Sequence, residues 1–284
     1  MNIASGKLLQ EIVRGICVYN DRERQSIGML YLEERYKLSR TDILTDRIVD
    51  FDPEDLRDFL DRINRYEPVQ YILGKTYFYG LPFCVSSSVL IPRPETEELV
   101  HLILKDFQGK KIVLAPAILD IGTGSGCIAI SLASNLPQAS ITAFDVSESA
   151  LEIAVANAVL NNCKIDFRLH DISKHISFEG VFDLIVSNPP YVEVSEQEQM
   201  QRNVLDYEPE LALYAPEYDS LFFYRKILEF SRKHLIHHGF VYFEINERFG
   251  VEMQRLLQEF AFDEIRIQKD LSGRDRFVTG RKFG

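Results

Sequence analysis

The chain has 284 residues, of which 46% are hydrophobic and 26% charged, values that are typical of a folded globular protein. Its 32 Lys and Arg residues against 43 Asp and Glu residues give a formal charge of −11 at pH 7. This balance disfavours a protein that holds nucleic acid through its phosphates, because that affinity comes from clustered cations.

Features of secreted, membrane or metal-binding proteins are missing from the sequence. No apolar run approaches the roughly 18 residues that a membrane-spanning helix needs. The N-terminal segment carries Lys7, Glu11 and Arg14, which interrupt the apolar stretch of a secretory signal. The four cysteines form no CxxC pair, which favours reduced thiols over disulfides or a zinc site. We therefore expect a cytoplasmic protein with no metal site and no membrane contact.

The first region, residues 1–68, is predicted to be a small helical bundle. Apolar residues recur at helical spacing from Leu8 to Ile16, and again from Leu56 to Ile63 behind the helix start signal at 52–55. Its predicted exposed faces mix both charge signs, which usually marks a solvated helix surface. Recognition of a partner is the sharper alternative for these faces.

A second region, residues 69–92, is predicted to be a β-hairpin connector. Aromatic and β-branched residues broken by Gly74 and Gly80 favour a hairpin over a helix between Val69 and Val85. Pro92 and Pro94 then predict a break in secondary structure. A helix predicted to begin at Pro94 opens the third region, residues 93–284.

From Ile118 onward the chain alternates strands with helices, which predicts a parallel sheet covered on both faces. Helices are expected after Gly126, after Ser147 and from Leu221 to His234. The last two strands, across a turn at Ser272-Gly273, are expected to pair antiparallel. The predicted strands are AILDI (117–121), SITAFDV (140–146), KIDFRL (164–169), FDLIVSN (182–188), FVYFEI (240–245), DEIRIQKD (263–270) and RDRFVTGRK (274–282).

A glycine-rich loop follows the first of these strands. Glycines at such a strand end let the backbone approach a ligand and turn into a helix. The dinucleotide pattern GxGxxG would need glycine where the chain has Cys127, so the GxGxG form favours a nucleoside without a pyrophosphate. A tight turn with no ligand is the alternative. The loop residues are Gly122, Thr123, Gly124, Ser125 and Gly126.

Two acidic residues end the next two strands. Asp145 lies about 20 residues beyond the loop, where an acid can accept hydrogen bonds from ribose hydroxyls, although it could equally cap a helix. Asp171 could accept from an adenine amino group, but Asp is also a common turn residue. Together with the glycine loop, Asp145 favours an adenosine ligand.

The segment Asn188-Pro189-Pro190-Tyr191 follows the fourth strand, at the edge of the sheet where ligand chemistry collects. Asn188 and the Pro189 carbonyl offer two hydrogen-bond acceptors, Pro190 stiffens the backbone and Tyr191 offers a flat apolar face. Such a site suits a planar NH2 group whose lone pair is delocalised. Holding both N–H groups on acceptors directs the lone pair to an electrophile and stabilises developing positive charge without a strong base.

The glycine loop and the Asn188–Tyr191 segment resemble S-adenosylmethionine-dependent methyltransferases that modify amide or exocyclic amino nitrogens. Three further stretches, 65–74 (RYEPVQYILG), 89–97 (VLIPRPETE) and 207–213 (YEPELAL), are similar to the peptide release factor glutamine methyltransferases, the PrmC or HemK family. The resemblance implies an α/β fold with a Rossmann-like class I methyltransferase domain. Its mostly parallel seven-stranded sheet would end in an antiparallel hairpin, preceded by the helical bundle and the hairpin connector.

The resemblance also implies a reaction: N5-methylation of the glutamine in the Gly-Gly-Gln motif of bacterial class 1 release factors, with S-adenosylmethionine converted to S-adenosylhomocysteine. The helical region would grip the release factor through a protein–protein contact, and no direct nucleic-acid binding is expected.

Site residues carried over by this resemblance fall into two groups. For the cofactor, Gly122–Gly126 would hold the methionine part, Asp145 the ribose and Asp171 with Ile172 the adenine. Arg93 and Glu95 would shape the pocket, and Asn188 would adjoin the cofactor as well as the substrate. For the substrate, Asn188 and Pro189 would accept from the glutamine amide, beside Pro190, while Tyr191 packs on the amide plane.

The chain departs from the family pattern at three places. Ile172 replaces a frequent aromatic residue, the segment 217–221 lacks glycines, and Arg248 stands where glutamine is expected. These departures leave the geometry of the loops open, but not the reaction.

Three other functions share some of these features. The nearest is an adenine-N6 amino-methyltransferase acting on DNA or RNA, because a flipped-out adenine presents a similar planar NH2 group; the net charge disfavours it. A nicotinamide-dependent oxidoreductase is disfavoured by the missing third glycine, and a non-catalytic translation-factor binding module by the intact Asn188–Tyr191 segment.

Overall fold

Residues 1–109, 115–174 and 178–283 are described by a computed structural model, in which the chain divides into two units. The helical unit comprises Met1–Lys75 and Met200–Tyr207, and the sheet unit comprises Thr76–Gln199 and Glu208–Gly284. The first stretch of the helical unit ends at Lys75. The domain boundaries expected after residues 68 and 92 stay predictions.

In the helical unit, short helices surround a small apolar core. Helices α1 and α4 each place one apolar face inward, with Leu8, Ile12, Phe59 and Ile63 buried. The helices are α1 (Ser5–Gly15), α2 (Asp21–Tyr36), α3 (Arg40–Leu44), α4 (Pro53–Ile63), α5 (Val69–Leu73) and α9 (Arg202–Leu205). The predicted helical bundle is confirmed.

Two features of this unit were not predicted. Strands β1 (Asn2–Ala4) and β2 (Ile48–Asp50) pair antiparallel. A distant segment also joins the unit, because the Arg202 guanidinium lies 4.5 Å from the centre of the Tyr66 ring and the Tyr207 hydroxyl donates to the Arg65 carbonyl at 2.9 Å. The helical unit is therefore built from two stretches of chain, which a pattern read along the sequence does not reveal.

The hairpin predicted from Val69 to Val85 is wrong in its first part, since Val69–Leu73 forms helix α5. Pro68 caps the start of this helix and Gly74, in the left-handed region at φ 66°, ends it. These helix start and end signals determined the local structure more strongly than the β-branched composition did. The hairpin itself is shorter, with strands β3 (Lys75–Phe78) and β4 (Leu81–Cys84).

The sheet unit contains a seven-stranded sheet in the order β10-β11-β9-β8-β5-β6-β7. The five strands from β9 to β7 are parallel, whereas β11 runs antiparallel to both β9 and β10. The strands are β5 (Ala117–Ile121), β6 (Ser140–Asp145), β7 (Asp166–Leu169), β8 (Phe182–Ser187), β9 (Leu235–Glu244), β10 (Phe262–Lys269) and β11 (Asp275–Lys282). The predicted fold class is confirmed.

Helices cover both faces of this sheet. Neighbouring residues of β5 point to opposite faces, so that Ile118 packs with residues of α6 and α7 while Leu119 packs with residues of α11 and α12. The helices are α6 (Pro94–Gly109), α7 (Cys127–Asn135), α8 (Glu148–Leu160), α10 (Glu210–Leu213), α11 (Phe222–His234) and α12 (Gly250–Glu259), with short 3-10 helices at Val194–Gln199 and Glu247–Phe249. No helix in the described ranges is long and apolar enough to cross a membrane.

The strand order reverses at β5, whose neighbours are β6 and β8. In open α/β sheets, ligands bind beyond the carboxyl ends of the strands at such a reversal. The topology therefore brings together the glycine loop after β5, Asp145 at the end of β6 and the Asn188–Tyr191 segment after β8.

Candidate active site

A cavity of about 440 Å³ lies at the carboxyl ends of β5, β6 and β8. This volume is within the roughly 300–1,000 Å³ typical of small-molecule sites. Its wall includes Ser88–Leu90, Pro92, Arg93, Thr96, Ile121–Ser125, Asp145–Ser147, His170–Ser173, Ser187–Pro190, Leu211, Ala212, Tyr218, Phe222 and Phe223. Most predicted site residues thus share one cavity, whereas Gly126, Tyr191 and Glu95 are not among the described residues that line it.

The three glycines of the loop have left-handed backbone conformations, with φ of 74° at Gly122, 54° at Gly124 and 82° at Gly126. A Cβ atom at Gly126 would meet Ile130 and Ala154 at 2.9 and 3.2 Å, so this glycine serves close packing. At Gly122 and Gly124 a Cβ atom would meet no atom of the described chain within 4 Å. These two glycines therefore leave space along the backbone that a ligand can occupy.

Asn157 of α8 holds this loop from behind with a fully buried side chain. Its Nδ2 donates to the Ser125 carbonyl at 2.9 Å and to the Cys84 carbonyl at 3.0 Å, while its Oδ1 accepts from the Cys84 amide at 2.6 Å. One amide group therefore joins the loop to strand β4 of the hairpin.

Asp145 connects the loop to the next strand. Its two carboxylate oxygens accept from the backbone amides of Gly124 at 2.8 Å and Ser147 at 2.9 Å. Burial raises the pKa of Asp145, and these hydrogen bonds oppose the rise. Each oxygen retains a second lone pair, so the carboxylate can still accept from a ligand.

Asp120, at the end of β5, is fully buried below the loop and accepts from the Thr123 hydroxyl at 2.7 Å. Burial raises the pKa of Asp120 to about 7. The charge state of this carboxyl therefore changes near neutral pH, directly beneath the loop.

Asp171 lines the cavity but also forms a turn. Its Oδ1 accepts from the Ser173 amide at 2.9 Å and hydroxyl at 2.6 Å, and Lys174 lies 3.0 Å from its Oδ2. Burial opposes ionisation, but these partners outweigh it and hold the pKa of Asp171 below its ordinary value. Ile172 lines the cavity beside it.

The segment after β8 is fixed by side-chain hydrogen bonds. The Ser187 hydroxyl donates to the Ile121 carbonyl at 2.6 Å, which ties the ends of β8 and β5 together. Asn188 Nδ2 donates to the Thr96 hydroxyl at 3.2 Å, and the Tyr191 hydroxyl donates to Glu244 at 3.2 Å. Burial raises the pKa of Tyr191, so its hydroxyl remains a donor at neutral pH.

Arg93 lines the cavity and donates to Glu208 at 2.7 Å. The Glu208 side chain is fully buried, and burial raises its pKa although the arginine opposes that rise. This ion pair holds the segment before α10 against the residues that precede α6. Glu95 is not among the described residues that line the cavity, and its negative charge adds to burial, which raises the pKa of Glu244.

Thr96 and Glu244 are site residues that the sequence analysis missed. Thr96 lines the cavity, and its hydroxyl donates at 2.7 Å to Glu244, which is buried at the end of β9. A signal was present in the sequence, because Glu244 is an acid within the apolar strand FVYFEI. Arg248, a departure from the family pattern, lies 3.4 Å from both Glu193 and Glu196.

Residues 98–207 match the family model of the methyltransferase small domain. The chain is 45% identical over 264 residues to the release factor glutamine methyltransferase of Flavobacterium psychrophilum, covering 92% of this chain and 93% of that protein. It is 41% identical to the release factor glutamine methyltransferase of Bacteroides thetaiotaomicron, with 93% and 95% covered.

A methyltransferase from Pyrococcus furiosus has a similar crystal structure, with a TM-score of 0.52 at 20% identity over 72% of this chain and 91% of that one. This likeness supports the fold alone, whereas the two relatives match the chain over nearly its full length. The chain belongs to the family of release factor glutamine methyltransferases.

Proposed function

We propose that this protein transfers a methyl group from S-adenosylmethionine to the side-chain amide nitrogen of the glutamine in the Gly-Gly-Gln motif of class 1 release factors. The observation that carries the proposal is the position of Asn188, Pro189 and Pro190 in the wall of the cavity, next to the glycine loop, in a chain of this family.

The residues of the cavity fit S-adenosylmethionine. The open backbone at Gly122 and Gly124 suits its methionine part, and the lone pairs left on Asp145 suit the ribose hydroxyls. Asp171 and Ile172 offer an acceptor and an apolar contact for the adenine. When bound, this cofactor supplies an electrophilic methyl group on a sulfonium, and S-adenosylhomocysteine is left after transfer.

On the substrate side, Asn188 Oδ1 and the Pro189 carbonyl would accept from the two N–H groups of the glutamine amide. An amide nitrogen is a weak nucleophile because its lone pair is delocalised into the carbonyl. Fixing both N–H groups orients that lone pair and stabilises the positive charge that develops on nitrogen during transfer. The methylated nitrogen then loses one of its two protons to solvent, which leaves a neutral N-methyl amide. Pro190 limits movement of the backbone, and the Tyr191 ring would pack on the plane of the amide.

The helical unit would provide the contact with the release factor. The helical unit has an apolar core of its own, which stabilises the surface that would make this contact. Its acidic and basic side chains suit a protein surface better than a phosphate backbone, which requires an excess of cations.

The test uses the full chain with methyl-labelled S-adenosylmethionine and three acceptors: a purified class 1 release factor, the same factor with the Gly-Gly-Gln glutamine replaced by alanine, and duplex DNA. We expect label on the first acceptor alone. Label on DNA would support the adenine-N6 alternative instead. Equal label on both release factors would contradict the proposed target residue.

A further inference from the structure

Glu244 is a buried carboxylate that receives hydrogen bonds from two sides of the candidate active site. Only 2% of the residue is exposed. Its Oε2 accepts from the Thr96 hydroxyl at 2.7 Å, and its Oε1 accepts from the Tyr191 hydroxyl at 3.2 Å. The Tyr224 hydroxyl also donates to its backbone carbonyl at 2.9 Å. The carboxylate is thus held in place and faces two residues near the proposed substrate amide.

The direction of these hydrogen bonds determines the orientation of Asn188. An ionised carboxylate can only accept, so Thr96 must spend its single hydroxyl proton on Glu244. The Thr96 oxygen, 3.2 Å from Asn188, can then only accept, and Asn188 must turn its NH2 group toward it.

This orientation leaves the carbonyl end of the Asn188 side chain available. In residues 1–109, 115–174 and 178–283, no hydrogen bond is donated to Asn188 Oδ1. Asn188 lines the cavity, so a ligand there can meet the Oδ1 acceptor, while one N–H of the amide is bound to Thr96.

We propose that Glu244 and Thr96 are positioning residues that set the amide orientation of Asn188, so that it offers the substrate an acceptor and not a donor. The inference rests on the proposed function. The two ends of an asparagine amide have nearly the same size, so packing alone distinguishes them poorly. In the reversed orientation, the NH2 group of Asn188 would face the NH2 group of the substrate glutamine. The substrate amide would then lose one of the two acceptors proposed for it.

The decisive variant is Thr96→Val, which keeps the shape of the side chain but removes the hydroxyl. We expect kcat/KM for methylation of a release factor to fall about 10- to 100-fold, the usual effect of losing a charge-assisted hydrogen bond. The fall should lie mainly in kcat, and the Kd for S-adenosylmethionine should stay within about threefold. The reason is that the relay, the hydrogen-bonded chain from Glu244 through Thr96 to Asn188, contacts the side of the cavity assigned to the substrate amide.

Two further variants separate this role from packing. Thr96→Ser restores the hydroxyl and should recover kcat to within about threefold of the natural protein. Thr142→Val makes the same substitution at another buried threonine, on β6 away from the cavity, and should leave kcat unchanged. Thermal unfolding of each variant checks that it is folded.

Three results would overturn the inference: a Thr96→Val enzyme with kcat near that of the natural protein, a Thr96→Ser enzyme as impaired as Thr96→Val, or a loss of cofactor affinity as large as the loss of kcat. If Thr96→Val does not fold, Glu244→Gln takes its place. It lets Thr96 donate to Asn188 instead and should lower kcat at least about threefold; an unchanged kcat would contradict the inference.

The inference and the proposed function can fail separately. If the natural protein labels the release factor and neither variant lowers kcat, only the positioning role is wrong. If the natural protein binds S-adenosylmethionine but labels no release factor, the proposed function is wrong and the inference falls with it.

Discussion

The two sides of the cavity are built by different means. After β5, the chain leaves space along its own backbone at Gly122 and Gly124 and is held by the Gly124 amide, which donates to Asp145. After β8, two prolines stiffen the backbone, and side chains from distant parts of the sequence fix Asn188 through hydrogen bonds.

This difference shows how each side would recognise its ligand. A ligand site formed by the backbone permits many substitutions at neighbouring positions but no Cβ atom at the glycines that contact the ligand. A side-chain relay tolerates small changes of volume but depends on which atom donates and which accepts. Substitutions should therefore harm the first side through volume and backbone conformation, and the second through the loss of single polar atoms.

The largest effect is expected at Asn188. Asn188→Ala removes an acceptor that would stabilise charge as it develops, and we expect kcat to fall roughly 100- to 1,000-fold. The Kd for S-adenosylmethionine should stay within about threefold, because the side chain serves the substrate amide. Single-turnover methylation and calorimetric titration measure the two quantities. Asn135→Ala, at an exposed position of α7, is the control. An equal loss of cofactor affinity in Asn188→Ala would place this side chain on the cofactor side.

A smaller effect is expected on the cofactor side, where a matched pair of glycines is available. Gly124 and Gly273 both have a left-handed backbone, and at neither would a Cβ atom meet the described chain within 4 Å. Replacing each by alanine should lower the free energy of unfolding by about 1–2 kcal/mol, the cost of placing an L-residue in this conformation.

Gly124→Ala should also weaken S-adenosylmethionine binding about tenfold or more, because the new methyl group projects into the space that we assign to the ligand. Gly273→Ala, in the turn between β10 and β11, should leave this binding unchanged. Equal affinities in the two variants would show that the open space at Gly124 is not used by the cofactor.

A still smaller effect concerns pH. Burial raises the pKa of Glu244 to about 6, and the titratable or charged groups that interact with it include Tyr191, Tyr224, Arg276, Glu95 and Cys127. Above that pH the carboxylate accepts from Thr96. As the pH falls through it, the protonated carboxyl can donate instead, and the relay loses its direction. At saturating cofactor, we expect kcat to fall about fourfold between about pH 7.5 and about pH 5.5, the change in the ionised fraction of such a group.

Glu244→Gln cannot titrate and should lose this part of the pH profile. Asp120, whose pKa is about 7, also changes charge in this range, but it lies beneath the glycine loop. An acid limb that persists in Glu244→Gln would therefore belong to Asp120 or to another group, and would contradict the assignment to Glu244.

The smallest effect is expected for Tyr191→Phe. This change keeps the ring that would pack on the substrate amide and removes only the hydroxyl that donates to Glu244 at 3.2 Å. We expect kcat to fall about threefold, the cost of one modest hydrogen bond. Tyr191→Ala, which also removes the ring, should cost more, and equal rates for the two variants would argue against a role for the ring.

Much of the sheet could be predicted because its strands are short apolar runs that end in recognisable residues. The strand AILDI agrees with β5 at both ends, but β9 begins at Leu235, earlier than predicted, because His237, His238 and Gly239 interrupt its apolar pattern. The glycine loop and the Asn188–Tyr191 segment were visible because each concentrates unusual residues within a few positions.

The relay to Asn188 could not be predicted in this way. Thr96 and Glu244 are 148 residues apart in the chain and meet only when α6 packs beside β9. An acid in an apolar strand signals an unusual environment, but nothing in the local sequence identifies its partner. Long-range pairs of this kind depend on the tertiary fold, as does the addition of residues 200–207 to the helical unit.

Asn157 has a consequence for how the hairpin can change during evolution. Among the described residues, its side-chain amide forms hydrogen bonds with the backbone of Cys84 and Ser125, two donated and one accepted. Aspartate at this position would turn an acceptor toward two carbonyl oxygens, and leucine would leave all three backbone groups without partners. These hydrogen bonds do not involve the side chains of Cys84 and Ser125. Substitution of the Cys84 side chain would therefore leave this contact intact, whereas the asparagine at position 157 has to persist.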